Sequence, residues 1–433
     1  MTTTTNNTPE LLLPAGSPSA LRTALLFGAD AVYLGGEAFS LRAKAKNFSM
    51  EELQAGIRFA HEHTSPTHQG GAKVYITANV MPHNKDLAEA EAYFKELASL
   101  KPDGILVSDP GMFTLAKSLC PGIPLHISTQ ANSINRMAFD FWHRQGAKRV
   151  VAARELSLTE LKEIREAVSP DLEIEAFVHG AMCISYSGRC LLSAFLNNRS
   201  ANLGECTHPC RWPYHLEFSE ESRPGQIFSA EENERGTFLF HSRDLCMIEH
   251  IPELIDAGVM SFKVEGRMKN DLYVASIARA YRHAIDEALS DPEGYARHKA
   301  RYLAEVNKTS ARPYCTGFYF GPPTEEGQIY DTEPQEKNAV YLGCVEKTEA
   351  LPDGGVRLSF HQKNKFTIGE AIDLVTPRED ISCTVQGMSN EKLQPIESCP
   401  HPEQLVYITI RSAAALNTSE IPSGSLLRKT IEK

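Results

Sequence analysis

The stretch ELLLPAGSPSALRTALLFGADAVYLG, residues 10–35, decides the fold. Two short apolar runs, 10–13 and 31–35, flank an amphipathic segment at 18–27. Runs this short and this rich in Val, Ile and Leu read as strands buried on both faces, and a helix between them joins parallel neighbours. The same unit recurs along the chain. Further apolar runs stand at 74–79, 104–108, 124–128, 149–152, 172–178 and 260–265. Helical patterns fill the gaps at 50–63, 86–100, 111–119, 137–145, 158–168 and 249–257, and a last one follows at 272–289. In that last helix Val274, Ile277, Ala278, Tyr281 and Ile285 recur every three or four residues, which marks one buried face. Eight strands alternating with eight helices predict an α/β chain folded as a TIM-like (β/α)8 barrel over residues 9–295, with a doubly wound open sheet as the alternative.

From residue 336 the pattern changes to short alternating strands at 340–345, 355–360, 371–374, 381–386, 405–410 and 426–430. These predict a second, all-β barrel domain over 336–433, joined by a linker at 296–335. A charged, Pro/Gly-punctuated stretch at 220–236 and an expected strand at 237–241 form an insertion, at about 211–245, between the last two barrel strands.

Four of the ten cysteines, Cys183, Cys190, Cys206 and Cys210, lie within 28 residues, just after the seventh predicted strand. Glycines, arginines and small polar residues surround them, unlike the apolar setting of a buried structural thiol. The C-x6-C-x15-C-x3-C spacing matches neither zinc-finger nor bacterial ferredoxin patterns, so it points to a metal without choosing between zinc and iron. The opening MTTTTNNTPE is polar, and no run approaches the roughly 18 apolar residues that would cross a bilayer. A cytoplasmic protein is expected, with thiols reduced and free to ligate. The net charge of −11 argues against indiscriminate nucleic-acid coating but permits a local basic groove.

If the barrel is right, chemistry belongs at the C-terminal ends of its strands. The polar residues there are Glu37, Arg42, Asn79, Asp109, Gln130, Asn132, Arg154, Glu155, His179, Glu265 and Arg267. His179 and Glu265 are the acid–base candidates by position, with Arg267 beside them.

The run HGAMCISYSGRCLLS at 179–193 closely resembles the signature of the family labelled collagenase-like peptidase. ELLLPAG (10–16), ADAVYLG (29–35), STQAN (128–132), KVEGR (263–267) and KNKFTIG (363–369) also fit it. The β-domain and C-x3-C-R-W at 206–212 resemble the tRNA-hydroxylation branch. That resemblance implies 5-hydroxyuridine formation at the wobble uridine of tRNA, with prephenate as co-substrate and a [4Fe–4S] cluster. Carried over residue by residue, the cluster ligands are Cys183, Cys190, Cys206 and Cys210, with Cys246 as the reserve fourth.

Reaching C5 of an anticodon base requires the base to be splayed out, and stacking groups suit it. Phe39, Tyr186, Trp212 and Tyr214 are the candidates. Arg42, Lys44, Lys46, Arg189, Arg199, Arg211, Arg267 and Lys269 could form the basic strip for tRNA. Arg154 and Arg267 suit the two carboxylates of prephenate. The alternatives are a peptidase, for which His179 with Cys183 or Ser187 offers a partial dyad, and a cluster-bearing accessory protein for another RNA or quinone hydroxylation.

Overall fold

The computed structural model describes the chain apart from residues 1–7, 42–46, 65–70, 184, 187, 213–216, 220–226, 230–241, 311, 324–326, 328, 330–338, 353–354, 413–415 and 432–433. Eight parallel strands close into a barrel. They are β1 (Glu10–Pro14), β2 (Ala31–Gly35), β3 (Lys73–Thr77), β4 (Gly104–Val107), β5 (Leu125–Ile127), β6 (Arg149–Val151), β7 (Glu173–Ala181) and, after an excursion, β11 (Ser261–Val264). Closure is read from register: Ser261 pairs with Glu10 on β1 and with Glu175 on β7, so β11 fills the gap between first and seventh strands.

Helices α1 (Pro18–Leu26), α2 (Met50–Glu62), α3 (Leu87–Leu100), α4 (Pro110–Leu119), α5 (Arg136–Gln145) and α6 (Leu158–Ala167) form the crossovers between β1 and β7. Their starts are locally encoded. Ser49 and Ser157 each make a capping box, with Glu52 and Glu160 respectively, and Asp109 caps α4 through Met112 N–H. After β7 come α7 (Leu192–Asn197), a hairpin of β8 (Glu217–Ser219) with β9 (Ile227–Ser229), β10 (Asp244–Cys246) and α8 (Ile251–Asp256). Helix α9 (Asp271–Ser290) closes the barrel wall, and Val274, Ile277, Ala278, Tyr281 and Ile285 are all buried on it, as the periodicity predicts.

Two differences from the sequence reading bear on the site. Strand β10 is too short to show a period, yet it pairs antiparallel with the end of β7, Cys246 opposite His179, and parallel with β12 (Tyr314–Cys315). The first part of the expected linker is a helix, α10 (Pro292–Asn307), packed along α9. The expected strand at 237–241 lies outside the described residues.

Residues 339–430 form a separate antiparallel sheet in the order β13-β19-β16-β17-β18-β15-β14. The strands are β13 (Ala339–Cys344), β14 (Lys347–Ala350), β15 (Val356–His361), β16 (Ala371–Val375), β17 (Asp380–Ser389), β18 (Leu405–Arg411) and β19 (Leu426–Thr430), around their own apolar core. Strand β14 has no signal in the sequence, because KTEA carries no apolar alternation and is largely exposed. The sheet is fastened to the barrel by apolar packing, with Ala339, Tyr341, Val375 and Leu426 joining the barrel's core, and by charge. Arg279 of α9 donates to Thr376 O and pairs with Asp380 (2.7 Å), while fully buried Arg428 pairs with Glu305 of α10 (3.2 Å).

The lower half of the barrel interior holds a buried charge network. Arg149 contacts Glu10 (2.6 Å), Glu175 (2.9 Å) and Glu173 (2.7 Å), Tyr75 donates to Glu10 (2.6 Å), and Lys263 meets Glu175 at 2.5 Å. Each charge has a partner, the condition under which ions persist out of water.

Candidate active site

At the C-terminal ends of the strands the barrel opens into a cavity of about 560 Å³. Its base and walls include Thr77, Asn79, Ser128, Gln130, Arg154, Lys263, Glu265 and Arg267. Its roof is the segment after β7, which crosses the mouth and carries Cys183, Cys190, Cys206 and Cys210, all four lining the same cavity. The roof is seated by close backbone contacts. Met81 N–H donates to Asn202 O (3.1 Å), and Gly188 (φ 72°) lies so close to Gln130 that a β-carbon would collide with the Gln130 carbonyl. Left-handed backbone and missing side chain together require glycine there.

The roof's thiols are in mutual electrostatic reach. Burial pushes the Cys210 thiol up, Arg211 opposes this, and Cys183, Cys206 and Cys190 each add to the rise. Ser193 Oγ lies 3.8 Å from Cys206 Sγ and accepts from Thr207 N–H (3.1 Å), pinning the Cys206 loop to α7. Among the described residues no three His, Cys, Asp or Glu side chains are gathered closely enough to hold a metal. The donor set of four thiols around one cavity nonetheless fits a thiolate-bound metal or cluster. Cys246 does not belong to it. It is buried in β10 behind the cavity wall, 3.9 Å from the Tyr281 hydroxyl, and burial pushes its thiol up to about 12.

The cavity walls are cationic on one side. Arg154 donates to Ala181 O (2.5 Å), stands 3.6 Å from Glu265 and lies 4.0 Å over the Phe177 ring. Arg267, only 6% exposed, donates to Ser40 Oγ (2.5 Å) and Asn47 Oδ1 (2.8 Å). Lys269 and Arg211 also line the cavity, and Arg312 does so paired with Asp244 (2.8 Å). The other side is neutral: Asn79 Nδ2 donates to Ser128 Oγ (3.1 Å), which donates to Gln130 Oε1 (2.8 Å).

His179 is placed differently from its expected role. Strand β7 runs two residues past it, so the imidazole is buried outside the cavity lining, its nitrogens facing the Tyr281 (3.4 Å) and Tyr314 (3.2 Å) hydroxyls. Burial, with Lys269 adding, pushes its pKa down to about 3. An imidazole so held does not face the cavity, and it does not pair with Cys183, which is exposed in the roof. The peptidase dyad therefore does not assemble between these two; Ser187 lies outside the described residues. Glu265 keeps its expected place in the lining.

The mouth bears exposed aromatic and basic side chains. Tyr186 is 54% exposed and Trp212 37%, Arg189 is exposed, and Arg199 is half-buried. Phe39 packs instead against Tyr93, with ring centroids 5.6 Å apart. Arg42, Lys44, Lys46 and Tyr214 lie outside the described residues. Lys263, the first residue of the KVEGR motif, also lines the cavity, a place the sequence pattern did not indicate. Its one sign was a lone charge in a strand otherwise buried on both faces.

The Peptidase family U32 model matches residues 16–329, and the Peptidase family U32 C-terminal domain model matches 337–428. The chain belongs to peptidase family U32. It is 36% identical to tRNA hydroxylation protein P1 of Bacillus subtilis (strain 168), over 92% of this chain and 91% of that protein. It is 35% identical to tRNA hydroxylation protein P of Escherichia coli (strain K12), over 94% and 95%. It is also 36% identical to the 23S rRNA 5-hydroxycytidine C2501 synthase of the same strain, over 66% of this chain and 41% of that protein. Among the described residues no helix is long and apolar enough to cross a membrane.

Proposed function

We propose that this U32 protein hydroxylates C5 of the wobble uridine in tRNA, with prephenate as co-substrate and a [4Fe–4S] cluster on Cys183, Cys190, Cys206 and Cys210. One observation carries the reading: four thiols, a cationic wall and a neutral amide wall all face one cavity at the barrel mouth. Relatives named for tRNA hydroxylation and for 5-hydroxycytidine synthesis support RNA hydroxylation as the reaction class.

When bound, a thiolate-held cluster supplies one-electron redox or Lewis-acid chemistry. The chain's own residues bind and orient. Arg154 and Arg267 suit the carboxylates of prephenate, because guanidinium groups meet carboxylates bidentately. Tyr186 and Trp212 offer flat, exposed faces for bases splayed from the anticodon loop. Arg189, Arg199 and Arg211 supply phosphate contacts that a chain of net charge −11 must concentrate locally. Glu265, beside Arg154, is the carboxylate in place to hold or move a proton at the reacting base.

Arg267→Ala is the test of the cavity assignment. Hydroxylation of tRNA should be lost while the cluster absorption is retained; full activity would remove Arg267 from the site.

A further inference from the structure

We propose that Lys263 is an amine nucleophile that holds an α-keto carboxylate as an imine at the base of the cavity. Lys263 is the third residue of β11, 3% exposed, and part of the cavity lining. Its ammonium group lies 4.3 Å over the Tyr33 ring and 5.7 Å from the centre of the Phe177 ring, with Glu175 Oε1 at 2.5 Å. Desolvation pulls its pKa below the usual lysine value, and Glu175 opposes this. A dry, ring-lined lysine beside a carboxylate that can take its proton is the setting in which lysine attacks carbonyls. Arg154 and Arg267 in the same lining provide guanidinium groups for the substrate's carboxylate, which directs the keto carbon inward.

The step balances without an oxidant. Glu175 takes one ammonium proton, and the Nζ lone pair adds to the keto carbon as the carbonyl π pair moves onto oxygen. Proton transfer from nitrogen to that oxygen gives the carbinolamine. Glu175 returns its proton to the hydroxyl, which leaves as water, and a C=N bond forms. The iminium charge remains opposite Glu175, so the buried pair survives the chemistry.

The proposal rests on the proposed function only in taking prephenate, itself an α-keto acid, as the natural ligand. Its test needs no tRNA. The full-length protein is incubated with pyruvate and cyanoborohydride, and the labelled lysines are mapped by peptide mass spectrometry. Reduced adduct should appear at Lys263 about tenfold above surface lysines. It should be absent with lactate, which lacks the keto group, and absent in Lys263→Arg, which keeps a cation opposite Glu175. No adduct at Lys263, or labelling no greater than at surface lysines, would overturn the imine. An adduct in cluster-loaded protein that fails to hydroxylate tRNA would uphold the imine and overturn the proposed function. Undiminished hydroxylation by Lys263→Arg would overturn a catalytic imine and leave that function standing.

Discussion

The base of the barrel and its roof treat charge and sulfur in opposite ways. At the base, Arg149, Glu10, Glu175 and Lys263 are all nearly fully buried, and each finds a partner within 3 Å. In the roof, four thiols stand partly exposed on loops and a single 3-10 turn, Pro209–Arg211, held by backbone contacts with the loops after β2, β3 and β5. The base is built on strands whose register cannot slip without stranding a charge. The roof is built on glycine turns and short bonds to neighbouring loops, which set position while leaving sulfur reachable. The base is locked by paired buried charges, the roof keeps its sulfur accessible, and Lys263 stands where the network meets the cavity.

Substitutions can break that division. The largest stability loss should come from Arg149→Met, which leaves Glu10, Glu175 and Glu173 without their shared cation. About 3–5 kcal/mol is expected, because an uncompensated buried charge costs more than the pair gains. Denaturant melts measure it, and a loss below about 1 kcal/mol would mean that the network is dispensable.

A pH effect follows from His179 at the boundary between the regions. Its folded pKa, about 3, lies below the unfolded value near 6.5, so only the unfolded chain gains a proton between these limits. Stability should therefore fall by up to about 1.4 kcal/mol for each pH unit lost below 6.5. His179→Gln should flatten this contribution in melts between pH 4 and 7. The same variant should leave the pH profile of hydroxylation in place, since the imidazole does not line the cavity; a displaced profile would restore His179 to the chemistry.

The smallest stability effect is expected in the roof. Gly188→Ala places a side chain on a residue at φ 72° and against the Gln130 carbonyl. About 1–2 kcal/mol of local strain should lift the roof. Activity should fall much more than the melting temperature, and a matched fall in both would show that roof and base fold as one unit.

Much of this was legible in the sequence, for reasons that differ between the regions. The eight strands showed themselves because each is a short apolar run followed by an amphipathic helix. The cysteine segment was visible from spacing alone. Strand β10 was not, because three residues carry no period and its pairing depends on β7 outrunning the barrel. That extension buried both His179 and Cys246, and it removed one from acid–base work and the other from the thiol set. The charge network left a faint sign: Glu10 and Arg149 open, and Glu173, Glu175 and Lys263 interrupt, runs that otherwise read as fully buried. A lone charge in a two-face-buried strand calls for a partner across the barrel, but only register names that partner.

The most direct test of the account is iron and sulfide content with an absorption spectrum, measured on anaerobically purified wild type and Cys206→Ala. The account predicts about four irons per chain with broad absorption near 400 nm, lost in the variant together with tRNA hydroxylation. Zinc in place of iron, or a cluster that survives the loss of Cys206, would contradict it.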